Sequence, residues 1–208
     1  LRSSSAASDV YKRQLMLGLK LPTDPRWSYA AEENLEEILI DHAYCEQKAA
    51  STAISFIVTY PELNDLVKSM SSLAREEMSH FEMVHNLILE RNWTLGRERQ
   101  DLYVRRILNF FPKGDHRMKR LIYRLLVAAL IEARSCERFR VLSENLKDEK
   151  LSNFYSKLMA SEANHYTIFL GFARKYGNRK EVDDLWNSLL EFEGNIIREF
   201  AEPNRVHG

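Results

Sequence analysis

The pattern Glu-x-x-His occurs in two places where another glutamate precedes it by 31 or 30 residues. The residues are Glu46, Glu77 and His80 in the first copy, and Glu132, Glu162 and His165 in the second. Because residues three apart project from the same face of an α-helix, each copy could present a carboxylate and an imidazole to one metal ion. Two such pairs, with one inward glutamate from each of two further helices, form the ligand set of a di-iron site in a four-helix bundle.

Apolar residues recur at helical spacing, and the 208-residue chain has only seven Gly and five Pro, so we predict an all-α protein. The predicted main helices cover about residues 29–60, 62–91, 115–145, 148–176 and 180–201, with a short helix at 101–109. Pro61 should end the first helix and stand early in the second, and Asp115 and Asp148 should cap the third and fourth. Gly177 is the predicted C′ residue of the fourth. Two αα-hairpins joined by a long crossover, plus a C-terminal fifth helix, predict a ferritin-like bundle.

The spacing around each turn supports this arrangement. Residues equidistant from the turn of an antiparallel hairpin lie at one level. Glu46 and Glu77 are equidistant from position 61.5, and Glu132 and Glu162 from position 147, where the sequence predicts breaks. The repeat is a stronger signal than either motif alone. Each metal ion would then have one terminal histidine, with Glu77 and Glu162 bridging the two ions and the other two glutamates mainly terminal.

Three alternatives stay open at this point. Glu82 and His85 form another Glu-x-x-His, and Glu82 shares the 61.5 midpoint with Asp41, although the second hairpin offers no matching layer. Glu137 could replace Glu132, but the spacing of the repeat would then be lost. Finally, these acids and imidazoles could form salt bridges on solvated helix faces.

Residues 97–124 are basic, with nine Lys/Arg and three Asp/Glu, whereas the whole chain has 30 of each. A basic stripe is typical of a surface that binds a phosphate backbone. Tyr103, Phe110 and Phe111 interleave with these charges and could either stack on an unpaired base or belong to the core. The candidate RNA-binding residues are Arg97, Arg105, Arg106, Lys113, Arg117, Lys119, Arg120, Arg134 and Arg138. The last two could instead hold Glu137.

Composition limits the remaining possibilities. The formal net charge is zero, so bulk charge predicts neither nucleic-acid nor membrane binding, and no apolar run reaches the roughly 18 residues of a membrane span. Two cysteines, Cys45 and Cys136, are too few for a disulfide scaffold; they suit small buried positions and could make the site sensitive to oxidation. A cytoplasmic location is the expectation. We predict that residues 1–14 are a non-native or disordered leader and that residues 15–208 form a single di-iron domain.

Asp41 and Tyr166 are weaker candidates for acceptors that orient the ligand histidines. Both are predicted more simply as packing or surface residues.

Four segments resemble the ligand helices of the tRNA 2-methylthio-N6-isopentenyladenosine hydroxylases, the MiaE family. They are residues 40–53, 73–80 (LAREEMSH), 131–139 (IEARSCERF) and 161–166 (SEANHY). The third is the most specific, because a generic ferritin-like helix need not continue as Arg-Ser-Cys-Glu-Arg. The resemblance extends from about residue 15 to the C-terminus, and departures are confined to the crossover and the C-terminal tail.

The resemblance implies a non-haem di-iron monooxygenase that hydroxylates the isopentenyl group of a hypermodified adenosine beside the tRNA anticodon. Such an enzyme uses two iron ions, O₂, and electrons from an external reductase or ferredoxin. We expect it to bind tRNA and no membrane, as a monomer or small homo-oligomer. A ferritin-like iron-oxidising or storage protein is the alternative, and a metal-free helical interaction protein is a third possibility. The basic crossover and fifth helix favour the enzyme, because a storage cage needs a repeated self-assembly surface.

Overall fold

A computed structural model of the chain describes residues 17–98 and 101–199. These residues form seven α-helices and no strand, which confirms the predicted all-α class. The helices are α1 (Trp27–Glu33), α2 (Leu35–Thr59), α3 (Asn64–Glu90), α4 (Leu102–Leu108), α5 (Arg117–Asn145), α6 (Glu149–Tyr176) and α7 (Arg179–Glu199). Within the described ranges, none of them combines the length and apolarity needed to cross a bilayer. The predicted leader and the predicted end of the fifth helix lie outside these ranges.

Internal packing divides the chain into two compact units. The first unit covers Ala31–Gln100, and the second combines Leu1–Ala30 with Asp101–Gly208. In the first unit α2 and α3 pack along each other, and in the second α5 and α6 do the same. Helix α7 contacts α4, α5 and α6 within the second unit. Each unit thus contains one of the two predicted hairpins, and a single domain over residues 15–208 stays a prediction.

The turn of the first hairpin lies where the sequence predicts it. Helix α2 ends at Thr59 and α3 begins at Asn64, so the connection is centred on position 61.5. Pro61 lies in this turn, and the prediction that it stands early in the second helix is wrong. The reason is that the Leu63 N–H bonds to the Tyr60 carbonyl (3.1 Å), so the chain completes a tight turn before the helical ladder resumes.

The first predicted helix is interrupted near its start. Asn34 separates α1 from α2, with backbone angles φ −123° and ψ 38° that are not helical. Its N–H bonds to the Ala31 carbonyl three residues back (3.3 Å), and the ladder starts again when the Ile38 N–H bonds to the Asn34 carbonyl (3.1 Å). Asparagine has a low helix propensity because its side chain competes for backbone hydrogen bonds.

The cap of α5 differs from the prediction. His116, rather than Asp115, is the N-cap, and its Nδ1 accepts a hydrogen bond from the Lys119 N–H (3.3 Å). The Asp115 carboxylate instead accepts from the Tyr123 hydroxyl (2.8 Å). A hydroxyl further along the helix therefore competes successfully for the carboxylate that the sequence assigns to the cap.

The second turn confirms the predicted cap at Asp148. Its Oδ1 accepts from the N–H groups of Lys150 (2.9 Å) and Leu151 (3.1 Å). These bonds satisfy two of the free donors at the start of α6. Helix α5 ends at Asn145 and α6 begins at Glu149, so this turn is centred on position 147, as predicted.

Gly177 ends α6, but it is not the left-handed C′ residue that we predicted. It is the C-cap, with φ −111°. A Cβ at this position would lie 2.6 Å from Val182 Cγ2, 3.1 Å from the Ala173 carbonyl oxygen and 3.2 Å from Ile122 Cδ1. The glycine therefore allows close packing where α6 meets the start of α7, and it does not supply a positive φ.

Candidate metal centre

Three of the predicted ligands come together in the first unit and form what we call the first cluster: Glu46, Glu77 and His80. Their exposed fractions are 4%, 1% and 5%. His80 Nδ1 lies 3.3 Å from Glu77 Oε2 and 3.5 Å from Glu46 Oε2. Each residue offers one ligand atom, and these atoms lie within 4.8 Å of one another. Glu46 and Glu77 therefore lie at the same level of the first hairpin, as predicted from the position of its turn.

The first cluster strongly favours a positive charge. Burial alone would raise the pKa of the Glu46 carboxyl, but hydrogen bonds from His42 and His80 outweigh it and hold this pKa below its ordinary value. Burial by itself lowers the pKa of the His80 imidazole, whereas its bonds to Glu46 and Glu77 raise the pKa to about 10. Two buried carboxylates that hold a cation between them have the electrostatics of a metal site.

His42 also contacts the first cluster, although the sequence pattern assigns it no role. It is 5% exposed, and its Nε2 lies 2.6 Å from Glu46 Oε1. The available signal was its position four residues before Glu46, which puts both side chains on one face of α2.

The second unit contains the second cluster: Glu132 on α5, and Glu162 and His165 on α6. Their exposed fractions are 5%, 3% and 0%. Glu132 and His165 offer ligand atoms within 4.8 Å of each other. Glu162 precedes His165 by three residues on α6, as the Glu-x-x-His pattern requires. The second unit thus offers the same residue types as the first cluster, two buried carboxylates and one buried imidazole.

The donor atoms of the two clusters suit iron. Carboxylate oxygen and imidazole nitrogen are ligands typical of iron or manganese, whereas zinc and copper sites rely more on thiolate or histidine-rich sets. Burial also makes these carboxylates costly unless a cation balances them. The residues present therefore fit a metal of the predicted class.

The alternative sets do not form sites. Glu82 is exposed, and the His85 ring stacks on Phe81 with centroids 5.9 Å apart. Glu137 is fully buried, but its carboxylate pairs with Arg134 and Arg140, each at 3.2 Å. The burial of both clusters also excludes salt bridges on solvated faces.

The two cysteines differ from each other. Cys136 is 1% exposed, as expected of a small buried residue, and burial raises the pKa of its thiol to about 11. Cys45 is only half-buried, with its Sγ 4.0 Å from Asp41 Oδ2. Tyr166 is half-buried and packs against Trp186 with ring centroids 5.9 Å apart, which agrees with a packing role.

Arg134 is buried and does not form the RNA contact that we predicted. It is 2% exposed, and its guanidinium bonds Glu193 Oε1 (2.8 Å) and Glu137 Oε2 (3.2 Å). A further bond reaches the Leu21 carbonyl (3.0 Å). The alternative interpretation, that Arg134 holds Glu137, is the correct one.

The interleaved aromatic residues are mainly core residues. Tyr103 is 2% exposed and donates its hydroxyl hydrogen to Glu193 (3.0 Å). Phe111 is buried and stacks on Tyr123, with centroids 4.2 Å apart. Stacking on RNA bases is therefore the wrong interpretation for Tyr103 and Phe111.

Phe110 and Arg138 are half-buried. Phe110 lies 5.0 Å from Phe192, measured between ring centroids. The Arg138 guanidinium lies over the rings of Tyr103 (5.5 Å) and Trp27 (5.8 Å). These contacts give both side chains a role in packing the second unit.

Most of the other predicted RNA contacts are exposed. The exposed ones are Arg97 in the first unit and Arg105, Lys113, Arg117, Lys119 and Arg120 in the second. Arg106 is half-buried and pairs with Glu199 at 2.5 Å. We refer to residues 113–120, which carry four exposed cations, as the basic segment.

Comparison with a solved structure defines the class of protein. The chain resembles a protein described as "Protein 43 with aldehyde deformylating oxygenase activity from Synechococcus". The TM-score is 0.83 at 35% sequence identity, over 91% of this chain and 95% of that one. With the two buried carboxylate–histidine clusters, this similarity confirms the predicted class, an all-α ferritin-like protein.

Sequence comparison then gives the family. The chain belongs to the tRNA-(MS[2]IO[6]A)-hydroxylase (MiaE) family, whose model matches residues 12–208. A Pseudomonas putida protein named tRNA 2-(methylsulfanyl)-N(6)-isopentenyladenosine(37) hydroxylase is 42% identical over 91% of both chains. A Salmonella typhimurium protein of the same name is 30% identical, over 91% of this chain and 87% of its own. The match includes the last three residues of the predicted leader, whose boundary stays a prediction.

Proposed function

We propose that this protein is a di-iron, O₂-dependent monooxygenase. It hydroxylates the isopentenyl group of 2-methylthio-N6-isopentenyladenosine beside the anticodon of tRNA. The observation that carries this proposal is the repeated buried cluster of two carboxylates and one imidazole, in a chain of the MiaE family. The names of both relatives support the substrate and the hydroxylation.

The two clusters together would hold two iron ions. We propose that His80 and His165 would hold these ions together with Glu77 and Glu162. Glu46 and Glu132 would complete the ligand set. Four buried carboxylates with two imidazoles match the ligand set of di-iron carboxylate proteins.

The protein residues orient the ligands and exclude water. When bound, the iron pair would supply activation of O₂ and insertion of one oxygen atom into a C–H bond, with the other leaving as water. Ala43 and Ala50 lie within about one turn of Glu46 and are buried, at 0% and 1% exposure. Such small apolar neighbours leave room beside the carboxylate and keep its surroundings dry.

The remaining parts of the proposal concern partners. The basic segment would contact tRNA phosphates, because its four cations are exposed and concentrated in one place of a chain whose net charge is zero. Two electrons per turnover would come from a reductase or ferredoxin. We propose that the protein is cytoplasmic, since tRNA is the substrate, and that it is a monomer or small homo-oligomer. Iron storage is not favoured, because both relatives are named as tRNA hydroxylases.

The first prediction tests this function by site-directed mutagenesis. The parent should bind about two iron ions per chain, as expected of a di-iron bundle, whereas Glu77→Ala and Glu162→Ala should each lose most of the iron. Glu82→Ala is the matched control, because it removes an exposed glutamate of another Glu-x-x-His. Iron analysis of purified, folded protein is the measurement.

The same proteins are then assayed on tRNA that carries the unhydroxylated nucleoside, with reductant and O₂. Mass spectrometry of the nucleosides should show the gain of one oxygen atom for the parent and Glu82→Ala only. An unchanged nucleoside mass with iron-loaded parent would refute the enzymatic proposal. An aliphatic aldehyde should be included as a second substrate, because the structural relative has aldehyde deformylating oxygenase activity.

A further inference from the structure

His42 is a buried, polar side chain that the proposed function does not use. It lies on α2 at 5% exposure, and its Nε2 is 2.6 Å from Glu46 Oε1. This distance is short for a hydrogen bond between nitrogen and oxygen, as is typical when one partner is charged. The contact is therefore strong enough to determine how Glu46 is oriented.

The direction of this hydrogen bond follows from the chemistry of the two groups. An ionised carboxylate can only accept, so the His42 ring nitrogen that faces it must carry the hydrogen. A nitrogen that carries hydrogen has no lone pair for a metal ion. Through this nitrogen, His42 acts on Glu46 and does not itself coordinate metal.

The second oxygen of Glu46 points to a different partner. Glu46 Oε2 lies 3.5 Å from His80 Nδ1, inside the first cluster, while Oε1 is bonded to His42. With one oxygen held, rotation of the carboxylate about its terminal bond is restricted. We infer that His42 is a positioning residue that holds Glu46 so that Oε2, and not Oε1, faces the metal. This inference depends on the proposed function, because it assumes that Glu46 binds metal.

The second hairpin has no histidine at the equivalent position. The position four residues before Glu132 is Ala128, whose methyl group cannot form a hydrogen bond. The two clusters have the same ligand types, but only Glu46 has a histidine one turn before it on its own helix. Loss of the His42 hydrogen bond should therefore affect the metal position that Glu46 serves more than the other.

The second prediction concerns three variants of the full chain. His42→Phe keeps an aromatic ring and removes the donor, whereas His42→Gln retains an amide N–H near the position of Nε2. His85→Phe is the matched control, because it replaces a half-buried histidine of the first unit outside the cluster. Metal is removed with a chelator, and Co²⁺ is titrated back while its visible absorption is recorded.

We expect two Co²⁺ per chain for the parent and for His85→Phe. In His42→Phe, the affinity of one of the two binding steps should fall by about 10–100-fold, as observed for residues that orient metal ligands, and its absorption band should change. His42→Gln should restore most of the affinity. The kcat of iron-loaded His42→Phe should fall while its KM for tRNA stays at the parent value, since no tRNA contact is removed.

Two results would overturn the inference. One is a titration curve for His42→Phe identical to that of the parent. The other is an equal loss for His42→Phe and His42→Gln with circular dichroism unchanged, which would show that a hydrogen-bond donor at this position does not rescue the site. A parent that binds no Co²⁺ or iron would instead refute the proposed metal centre, so the two failures are distinguishable.

Discussion

Buried charged residues are of two kinds in this protein, and the chemistry of the cationic partner separates them. Burial by itself lowers the pKa of Arg134, but Glu193 and Glu137, together with the Tyr103 hydroxyl, raise it. This guanidinium is balanced by carboxylates on its own and a neighbouring helix of the second unit. In the first cluster, by contrast, the two carboxylates face the imidazoles of His80 and His42, which are charged only when protonated. A guanidinium that stays charged indicates a structural ion pair, whereas carboxylates and imidazoles together can bind a metal cation in place of protons.

The third prediction follows for Arg134. Arg134→Met should lower the free energy of unfolding by about 3–5 kcal/mol, because it leaves Glu137 and Glu193 without their shared partner in the core. Urea unfolding at 25 °C, compared at unchanged m-value, is the measurement.

Arg179→Met is the matched control for Arg134→Met. The Arg179 side chain is 79% exposed and lies 3.9 Å from Asp183, so its loss should cost no more than about 1 kcal/mol. Equal destabilisation by the two substitutions would contradict the structural role of Arg134.

At the scale of helices, Gly177 at the C-cap of α6 and Gly171 within α6 differ in the space available for a side chain. A Cβ at Gly177 would lie 2.6 Å from Val182 Cγ2, whereas a Cβ at Gly171, which is exposed within α6, would have nothing within 4 Å. The same substitution should therefore change stability in opposite directions at these two positions.

The fourth prediction uses this pair. Gly177→Ala should destabilise the protein by about 1–3 kcal/mol, because the stiff Val182 side chain and the Ala173 carbonyl would have to move. Gly171→Ala should stabilise it by about 0.5–1 kcal/mol, since alanine loses less backbone entropy in a helix. Thermal and urea unfolding of both variants provide the test, and a stabilised Gly177→Ala would contradict the close packing at the end of α6.

The sequence predicts those features that depend on local spacing. The turns at positions 61.5 and 147 follow from helical periodicity and from Pro61 and Asp148, and the levels of the ligands follow from the turns. The sequence does not predict features that depend on contacts beyond the local pattern. Asp115 is not the cap because its carboxylate accepts a hydrogen bond from Tyr123, and Tyr103 is buried against Glu193, which lies 90 residues away in sequence.

The pairing of Arg134 with Glu193 is another long-range contact, since these residues are separated by 59 positions. A pattern of nearby basic residues could not distinguish it from an RNA contact. The role of His42 was also missed, although its spacing from Glu46 was visible, because a histidine on a polar helix is a weak signal without burial.

For the molecule as a whole, the distribution of charge matters more than its sum. The chain has zero formal net charge, yet the basic segment contains four exposed cations in eight residues. An interaction of these cations with tRNA phosphates would release counterions, so affinity should decrease as salt increases.

The fifth prediction therefore concerns Arg117→Glu/Arg120→Glu. This double variant should bind tRNA at least about tenfold more weakly than the parent at low salt, with a shallower dependence on salt concentration. Its iron content should stay at the parent value, since both residues are exposed. Fluorescence anisotropy of labelled tRNA over a salt series is the measurement.

Lys157→Glu/Lys180→Glu provides the same change of charge at exposed positions on α6 and α7. If this control weakens binding as much as the variant in the basic segment does, net charge is responsible and the basic segment is not the tRNA-binding surface.

One guanidinium joins two distant parts of the chain, because Arg134 bonds both the Leu21 carbonyl and Glu193 of α7. A version trimmed to the two hairpins would therefore leave the buried Arg134 side chain without these two partners, although it would keep every proposed metal ligand. The last helix and the segment before α1 consequently have to be retained in any minimal version of this enzyme.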